Sequence, residues 1–172
     1  LGLAIRQSNL CSEITLATNE ERTAVCCLSS VNLEHFDKWS EDPQFIEDLI
    51  TMLDNVIEHY IENAVDTSQL GGYSANFKRF TKYIKEGKEG YAKSAYSAYR
   101  ERSVGLGAMG FHAYLQSQNI AFESIYATGF NHRAFKHIKS KAVQATERLA
   151  DMRGECPDLH NTNRRNAHLL AI

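Results

Sequence analysis

A long amphipathic pattern between residues 43 and 64 is the sequence feature that most constrains the fold. Asp42 is suited to cap a helix and Pro43 to take its first position. The apolar side chains that follow recur at helical spacing: Phe45, Ile46, Leu49, Ile50, Leu53, Val56, Ile57, Tyr60 and Ile61. The pattern predicts a helix over 43–64 whose apolar face packs against other elements.

Strand-like segments lie on both sides of this helix. Residues 1–33 are predicted to be extended, because 8–15 alternates polar and apolar side chains and 23–33 is rich in Val, Cys, Leu and Ser. The run 164–172 is also strand-like. Two further helices are predicted. One covers about 92–116 and is interrupted or tightly packed around its glycines, and the other runs from about 134 to 152, with Gly154 as its natural stop. The sequence therefore predicts an α/β fold dominated by helix.

The composition narrows the class of protein. Hydrophobic residues make up 43% and charged residues 23%, as in an ordinary soluble protein. The apolar runs fall short of the roughly 18 residues that a membrane helix requires, and no signal peptide is visible. The four cysteines form no C-x-x-C pair, which argues against a structural zinc site. We expect a cytoplasmic protein with no bound metal and no membrane partner.

The stretch 71–92 is basic and holds Phe77, Phe80 and Tyr83. Basic side chains interleaved with aromatic ones can bind nucleic acid by charge and stacking. They also fit an amphipathic helix whose aromatic side chains face inward. The chain has 19 Lys plus Arg against 21 Asp plus Glu, a net charge of −2, which favours the helix and no nucleic-acid partner.

Gly105, Gly107 and Gly110 fit the spacing G-x-G-x-x-G of dinucleotide-binding turns. Such a turn follows a strand, whereas the preceding segment 97–103 is polar and helix-forming. We therefore expect the glycines to mediate a close helix contact rather than to bind a nucleotide cofactor.

The segment 8–14 holds three residues whose chemistry is complementary. In an extended chain Asn9, Cys11 and Glu13 lie on one face. A neighbouring carboxylate disfavours a thiolate, so Cys11 is expected to stay a neutral thiol, which suits hydrogen-atom transfer better than nucleophilic attack. The amide and carboxylate could bind hydroxyl groups, and Glu13 could move a proton. The same residues also fit a plain polar face on a surface strand.

A second extended segment carries Cys26 and Cys27 on opposite faces. One of the two thiols is expected to face the polar side of the first segment, and the other to join the core. The residues alone do not decide which is which. Both could also be small buried hydrophobic side chains.

These motifs together strongly resemble the large (alpha) subunit of class I ribonucleotide reductases. The resemblance rests on 9–14, followed fifteen residues after Cys11 by Cys26 within the run 26–33. It continues through the segments 96–112, 145–150 and 164–172, and so spans nearly the whole chain.

The resemblance implies a role for each matched residue. Cys11 corresponds to the cysteine that becomes a thiyl radical and takes the 3′-hydrogen of the ribose. Glu13 corresponds to the carboxylate that assists at the 3′-hydroxyl, and Asn9 to the amide that binds substrate beside it. Cys26 corresponds to one of two reducing cysteines that form a disulfide as the 2′-hydroxyl leaves as water. Cys27 falls at a variable position and is expected to be structural.

The resemblance also implies a fold and a domain. Residues 1–172 would be part of the catalytic barrel domain, a ten-stranded α/β barrel with the cysteine loop inside, incomplete at both ends. The second reducing cysteine and the loop that holds the substrate phosphate would lie outside this chain. We therefore expect these 172 residues to be inactive on their own.

The partners implied are a ribonucleoside diphosphate, the remaining large-subunit chain and a small (beta) subunit whose metal centre generates the radical. Thioredoxin or glutaredoxin would be the reductant, and the full alpha chain would form a homodimer. The segment itself would bind no cofactor, and the allosteric nucleotides ATP and dATP would bind outside it.

Two other functions fit the residues without the resemblance. A non-catalytic helical interaction module would lose nothing when Cys11 and Cys26 are replaced by Ser. A thiol redox protein would need both Cys26 and Cys27. A reductase would need Cys11 and Cys26.

Overall fold

The computed structural model describes residues 4–64, 78, 80–82, 85–86 and 91–167. Two strands and several helices form around one core. In chain order the elements are β1 (Cys27–Asn32), a 3-10 turn (Leu33–His35), α1 (Phe36–Trp39), α2 (Phe45–Ala64), α3 (Ala92–Glu101), β2 (Val104–Met109), α4 (Phe111–Ser117), α5 (Ile125–Arg153) and a second 3-10 turn (Pro157–Leu159). The part of the chain that is described is therefore helix-rich with a small parallel sheet, which confirms the predicted α/β class.

The sheet pairs β1 with β2 in parallel, in a register that runs from Cys27 opposite Val104 to Asn32 opposite Met109. Parallel strands need a crossover connection, and the chain between β1 and β2 supplies it with helices. The start of β1, which carries the cysteine pair, is thereby fixed beside the start of β2.

The predicted helix over 43–64 is confirmed as α2. Its buried positions include Ile46, Ile50, Leu53 and Ile57, which repeat at intervals of three and four residues. This face packs on α3 and α5 and on the sheet. The amphipathic pattern thus determines which side of α2 faces the core.

The prediction of a glycine-rich helix contact is wrong. α3 ends at Glu101, Arg102 takes the left-handed conformation with φ 44°, and Gly105 and Gly107 lie in the buried strand β2. In the parallel register they stand opposite Leu28 and Ser30. The close contact is therefore between strands, since a residue in the left-handed region cannot continue a helix.

The N-terminal strand prediction is also wrong for 8–15. Residues 4–26 contain no strand, and Leu10 and Cys11 form a turn beside Ser12, whose φ is 65°. A local turn breaks the alternation that the extended reading assumed. The strand expected within 23–33 does form, but begins only at Cys27.

The third predicted helix is confirmed at its end and extended at its start. α5 begins at Ile125 rather than Ala134, because the Ser124 side chain accepts a hydrogen bond from the Ala127 amide at 3.2 Å. It ends at Arg153, and Gly154, with φ 84°, is the C-cap that stops it as predicted.

The described part of the run 164–172 is not a strand. Ala167 instead lies beside the start of β2, donating its amide to Glu101 O and accepting from Val104 N, both at 3.0 Å. Residues 168–172 lie outside the described residues.

Most of the basic stretch 71–92 also lies outside the described residues. Of its described members, Phe80 is buried and Lys78 is exposed, as the amphipathic reading expects. No helix among the described residues is long and apolar enough to span a membrane.

The carboxylate of Asp54 on α2 is completely buried in the core, at 0% exposed. Its Oδ1 accepts from Arg102 Nε at 2.8 Å and Asn166 Nδ2 at 2.9 Å, and its Oδ2 from Arg153 Nη1 at 2.8 Å and Arg165 Nε at 2.9 Å. Burial alone would raise the pKa of Asp54, but Arg102 and Arg165 outweigh it and lower that pKa to about 2. The carboxylate therefore joins α2, the α3–β2 link, α5 and the segment after α5.

We predict that Asp54→Asn lowers the free energy of unfolding by about 3–5 kcal/mol, because it leaves the buried guanidinium groups of Arg102 and Arg165 with only the partly exposed Glu58 as counter-charge. Urea denaturation measures this. Since the folded pKa of about 2 lies below the ordinary 3.8, the contribution of Asp54 is present above about pH 4 and disappears as the pH falls towards 2.

The matched control is Glu47→Gln, which removes a carboxylate from the surface ion pair with Arg148. It should change the free energy of unfolding by less than about 1 kcal/mol. Equal effects of the two substitutions would contradict the central position given to Asp54.

Candidate active site

A cleft of about 280 Å³ opens between the N-terminal segment and the residues that lead into β1. Its lining combines polar and apolar side chains from both segments: Asn9, Ile14, Thr18, Val25, Cys26 and Leu28 are among them. The cleft therefore brings together Asn9 and Cys26, two of the four residues singled out in the sequence.

The turn over 9–14 is held by Asn9 itself. Its side-chain Oδ1 accepts from the Ile14 amide at 2.9 Å, and its backbone oxygen accepts from the Ser12 amide at 3.1 Å. The left-handed Ser12 reverses the chain between them. The shared extended face predicted for Asn9, Cys11 and Glu13 is therefore not formed, and a turn holds these residues instead.

Cys11 lies at the tip of this turn and is exposed. It is not among the residues that line the cleft. Its neighbour Leu10 is 99% exposed, so the tip projects from the described part of the chain. The structure thus places Cys11 at the exposed tip of the 9–14 turn, outside the set of residues that line the cleft with Cys26.

Glu13 is half-buried, and its Oε2 is enclosed without a hydrogen-bond partner among the described residues. A buried carboxylate oxygen normally has a donor, so this atom retains the capacity to accept one from a ligand. The charge of Glu13 also acts on the Cys26 thiol, whose pKa it helps to raise.

Cys26 immediately precedes β1 and is half-buried. Burial raises the pKa of its thiol to about 11; a hydrogen bond from Ser103 Oγ at 3.1 Å lowers the pKa, and the charges of Glu101 and Glu13 raise it further. The thiol is therefore neutral near pH 7. A neutral thiol donates a hydrogen atom or a proton rather than acting as a ready nucleophile.

Cys27 has a different environment. It begins β1, packs against the core and lines a second, apolar cavity of about 290 Å³ together with Val56, Ile57, Tyr60 and Ala98. Burial raises the pKa of its thiol. Cys26 lines both the cleft and this cavity, so its side chain lies at the boundary between them.

A buried charge network lies close to Cys26 and was not foreseen in the sequence. Arg22 contacts the carboxylates of both Glu101 and Asp158, and Asp158 also accepts from Arg100 Nε at 2.8 Å. Burial raises the pKa of Glu101 to about 7, although Arg22 beside it acts in the opposite direction. The partners Arg22 and Glu101 are 79 residues apart, so no local pattern could have indicated the pair.

The fourth cysteine, Cys156, is 1% exposed and donates its thiol to Glu101 O at 3.3 Å. Burial raises its pKa to about 12. It is a structural thiol of the core. Among the described residues, no group of three or more His, Cys, Asp or Glu is arranged to hold a metal ion.

Comparison with known proteins gives the site a context. A family model described as "Ribonucleotide reductase, barrel domain" matches residues 2–170. A solved alpha subunit of a class Id ribonucleotide reductase from Actinobacillus ureae superposes with a TM-score of 0.80 at 34% identity, over 99% of this chain and 28% of that one.

Two curated viral relatives point to the same family. The ribonucleoside-diphosphate reductase large subunit of Invertebrate iridescent virus 3 is 43% identical over 172 residues, which are 100% of this chain and 24% of the relative. The putative large subunit of Frog virus 3 (isolate Goorha) is 46% identical over 99% of this chain and 26% of its own length. The chain spans about a quarter of the length of these relatives.

The four thiol environments predict an order of alkylation. Exposed Cys11 should react first with iodoacetamide, half-buried Cys26 and Cys27 more slowly, and Cys156 last, because alkylation needs access and a thiolate. Peptide mapping by mass spectrometry over time measures the order. In urea the four rates should converge, and labelling of Cys156 before Cys11 in the native protein would contradict these environments.

Proposed function

The chain belongs to the ribonucleotide reductase barrel-domain family, and on this premise we propose that it supplies the cysteine-bearing part of a ribonucleoside-diphosphate reductase large subunit. The enzyme would be an oxidoreductase that converts ribonucleotides to deoxyribonucleotides. The names of the viral relatives support the diphosphate as the substrate form. Residues 1–172 would form part of the ten-stranded catalytic barrel, with β1 and β2 as two of its strands.

One observation carries this proposal. The cleft joins the Asn9 amide and the Cys26 thiol, and the Glu13 carboxylate, with an oxygen free of protein donors among the described residues, acts electrostatically on that thiol. An amide, a carboxylate and a neutral thiol are the groups needed to bind a diol and to exchange hydrogen with it.

The proposed chemistry assigns one step to each residue. A thiyl radical on Cys11 takes the 3′-hydrogen, while Glu13 accepts the proton of the 3′-hydroxyl and Asn9 holds the ribose. Loss of the 2′-hydroxyl as water draws hydrogen from Cys26 and a second cysteine, which become a disulfide, and Cys11 returns the hydrogen to C3′. The balance is ribonucleotide plus two thiols giving deoxyribonucleotide, disulfide and water.

The exposed position of Cys11 is compatible with this sequence of steps. A radical must reach Cys11 from outside the described residues, and the tip of the turn projects outward. We propose that a beta subunit with a metal centre generates the radical, and that thioredoxin or glutaredoxin reduces the disulfide. The full alpha chain would be a cytoplasmic homodimer with its ATP and dATP sites elsewhere.

The geometry argues against a redox pair made of Cys26 and Cys27. Cys26 lines both the cleft and the apolar cavity, whereas Cys27 lines only the apolar cavity. A pair made of these neighbours would therefore place only one of its two sulfurs at the cleft.

We predict that Cys11→Ser in the assembled reductase abolishes deoxynucleotide formation and leaves substrate affinity unchanged. An O–H bond is too strong for a serine hydroxyl to take the place of the radical-forming thiol. Product chromatography measures turnover and calorimetry measures nucleotide binding. Measurable turnover by this variant would refute the role of Cys11.

We predict that Cys26→Ser stops multiple turnover and that Cys27→Ser does not, because Cys26 lines the cleft whereas Cys27 lines the apolar cavity. Steady-state assays with a dithiol reductant compare the two directly, and each variant is the other's matched control. Equal loss in both variants would mean that the wrong thiol has been assigned to the substrate.

A further inference from the structure

We propose that Ser103 is a positioning residue for Cys26: its hydroxyl holds the thiol at the boundary between the cleft and the apolar cavity. The catalytic part of this inference rests on the proposed function, while the contact itself does not. Ser103 was not singled out in the sequence, and its role follows from where the fold places it.

Ser103 forms a hydrogen bond with each of the two adjacent cysteines. Its Oγ donates to Cys26 Sγ at 3.1 Å, and its backbone oxygen accepts from the Cys27 amide at 3.0 Å. Ser103 is 1% exposed, so water does not compete for its hydroxyl. Both the side chain of Cys26 and the backbone that follows it are therefore tied to one residue.

The backbone on either side of Ser103 is itself fixed. Arg102 is 0% exposed, takes the left-handed conformation, and donates from Nε to Asp54 Oδ1 at 2.8 Å and from Nη2 to Asp54 O at 3.0 Å. Asn166 Nδ2 donates to Arg102 O at 3.1 Å, and Val104 N donates to Ala167 O. The hydroxyl is therefore presented from an anchored backbone, as a positioning group must be.

The contact has two consequences for the sulfur. It orients the thiol. Cys26 lines both the cleft and the apolar cavity, whereas Ser103 lines only the apolar cavity, so the hydroxyl holds the sulfur from the side of the apolar cavity. It also stabilises the anion, since a donor to sulfur lowers the thiol pKa that burial raises. Re-reduction of Cys26 in each cycle would depend on both effects, whereas nucleotide binding would not.

Ser103→Thr and Ser103→Val test the inference in the assembled reductase, because the two side chains share one shape and differ in the hydroxyl. Ser103→Ala is the third variant, and Ser97→Ala removes an equally buried hydroxyl that contacts Glu101 rather than the thiol. The first readout is the rate at which iodoacetamide labels Cys26 between pH 7 and 10. The second is kcat and KM with a dithiol reductant.

We expect iodoacetamide to label Cys26 roughly three- to tenfold more slowly in the Val and Ala variants at a fixed pH. A rise of one unit in the thiol pKa lowers the thiolate fraction tenfold, and the greater nucleophilicity of a more basic thiolate restores part of the rate. The kcat of the Val and Ala variants should fall several-fold with KM unchanged. Ser103→Thr and Ser97→Ala should stay within about twofold of wild type. Labelling of buried Cys156 as slow as in the wild type shows that each variant is folded.

Equal labelling rates in the Thr and Val variants would overturn the inference, and so would a KM effect without a kcat effect. The proposed function has a separate test within the same experiment. If Cys26→Ser retains full turnover while the Thr and Val variants still differ in labelling, the reductase role of Cys26 fails and the positioning contact stands.

Discussion

The buried carboxylate of Asp54 determines the arrangement of the rest of the structure. A charge that is 0% exposed must be matched by donors, and Asp54 receives four of them from three different parts of the chain. One of the four is Arg102, which is held in a left-handed conformation at the point where α3 ends and β2 begins. The position of β2, and through it the start of β1, therefore depends on satisfying one charge on α2.

The site gains its chemistry from that arrangement rather than from unusual residues. Two adjacent cysteines have different surroundings because Cys26 precedes β1 and lines both the cleft and the apolar cavity, whereas Cys27 begins β1 and packs against the core. Burial keeps the Cys26 thiol neutral at ordinary pH, while the nearby carboxylates of Glu13 and Glu101 act in the same direction. A neutral thiol that is under the influence of these carboxylates is a poor nucleophile and a good hydrogen donor.

Features with local causes were predictable from the sequence, and features with distant causes were not. The 43–64 periodicity located α2, and Gly154 located the end of α5. The alternation around Cys11 suggested a strand, but the left-handed Ser12 makes a turn there, and polarity before Gly105 suggested a helix contact where a strand pair forms. The contact between Ser103 and Cys26 joins residues 77 apart, so it becomes visible only once β1 and β2 are paired.

The parallel pairing of β1 and β2 also has a consequence for how the sequence can change over time. The two strands are joined by a long crossover that includes the stretch between α2 and α3. The entropy of closing a connection between two elements grows only slowly with its length, by about 0.6 kcal/mol for each doubling. Residues inserted or removed between Ala64 and Ala92 therefore alter the cost of bringing the strands together very little, provided that α2 and α3 keep their contacts with the sheet and Phe80 keeps its place in the core. Natural drift in length is expected to concentrate in that connection, while the spacing from Glu101 to Val104 is held by the buried charge and should stay constant.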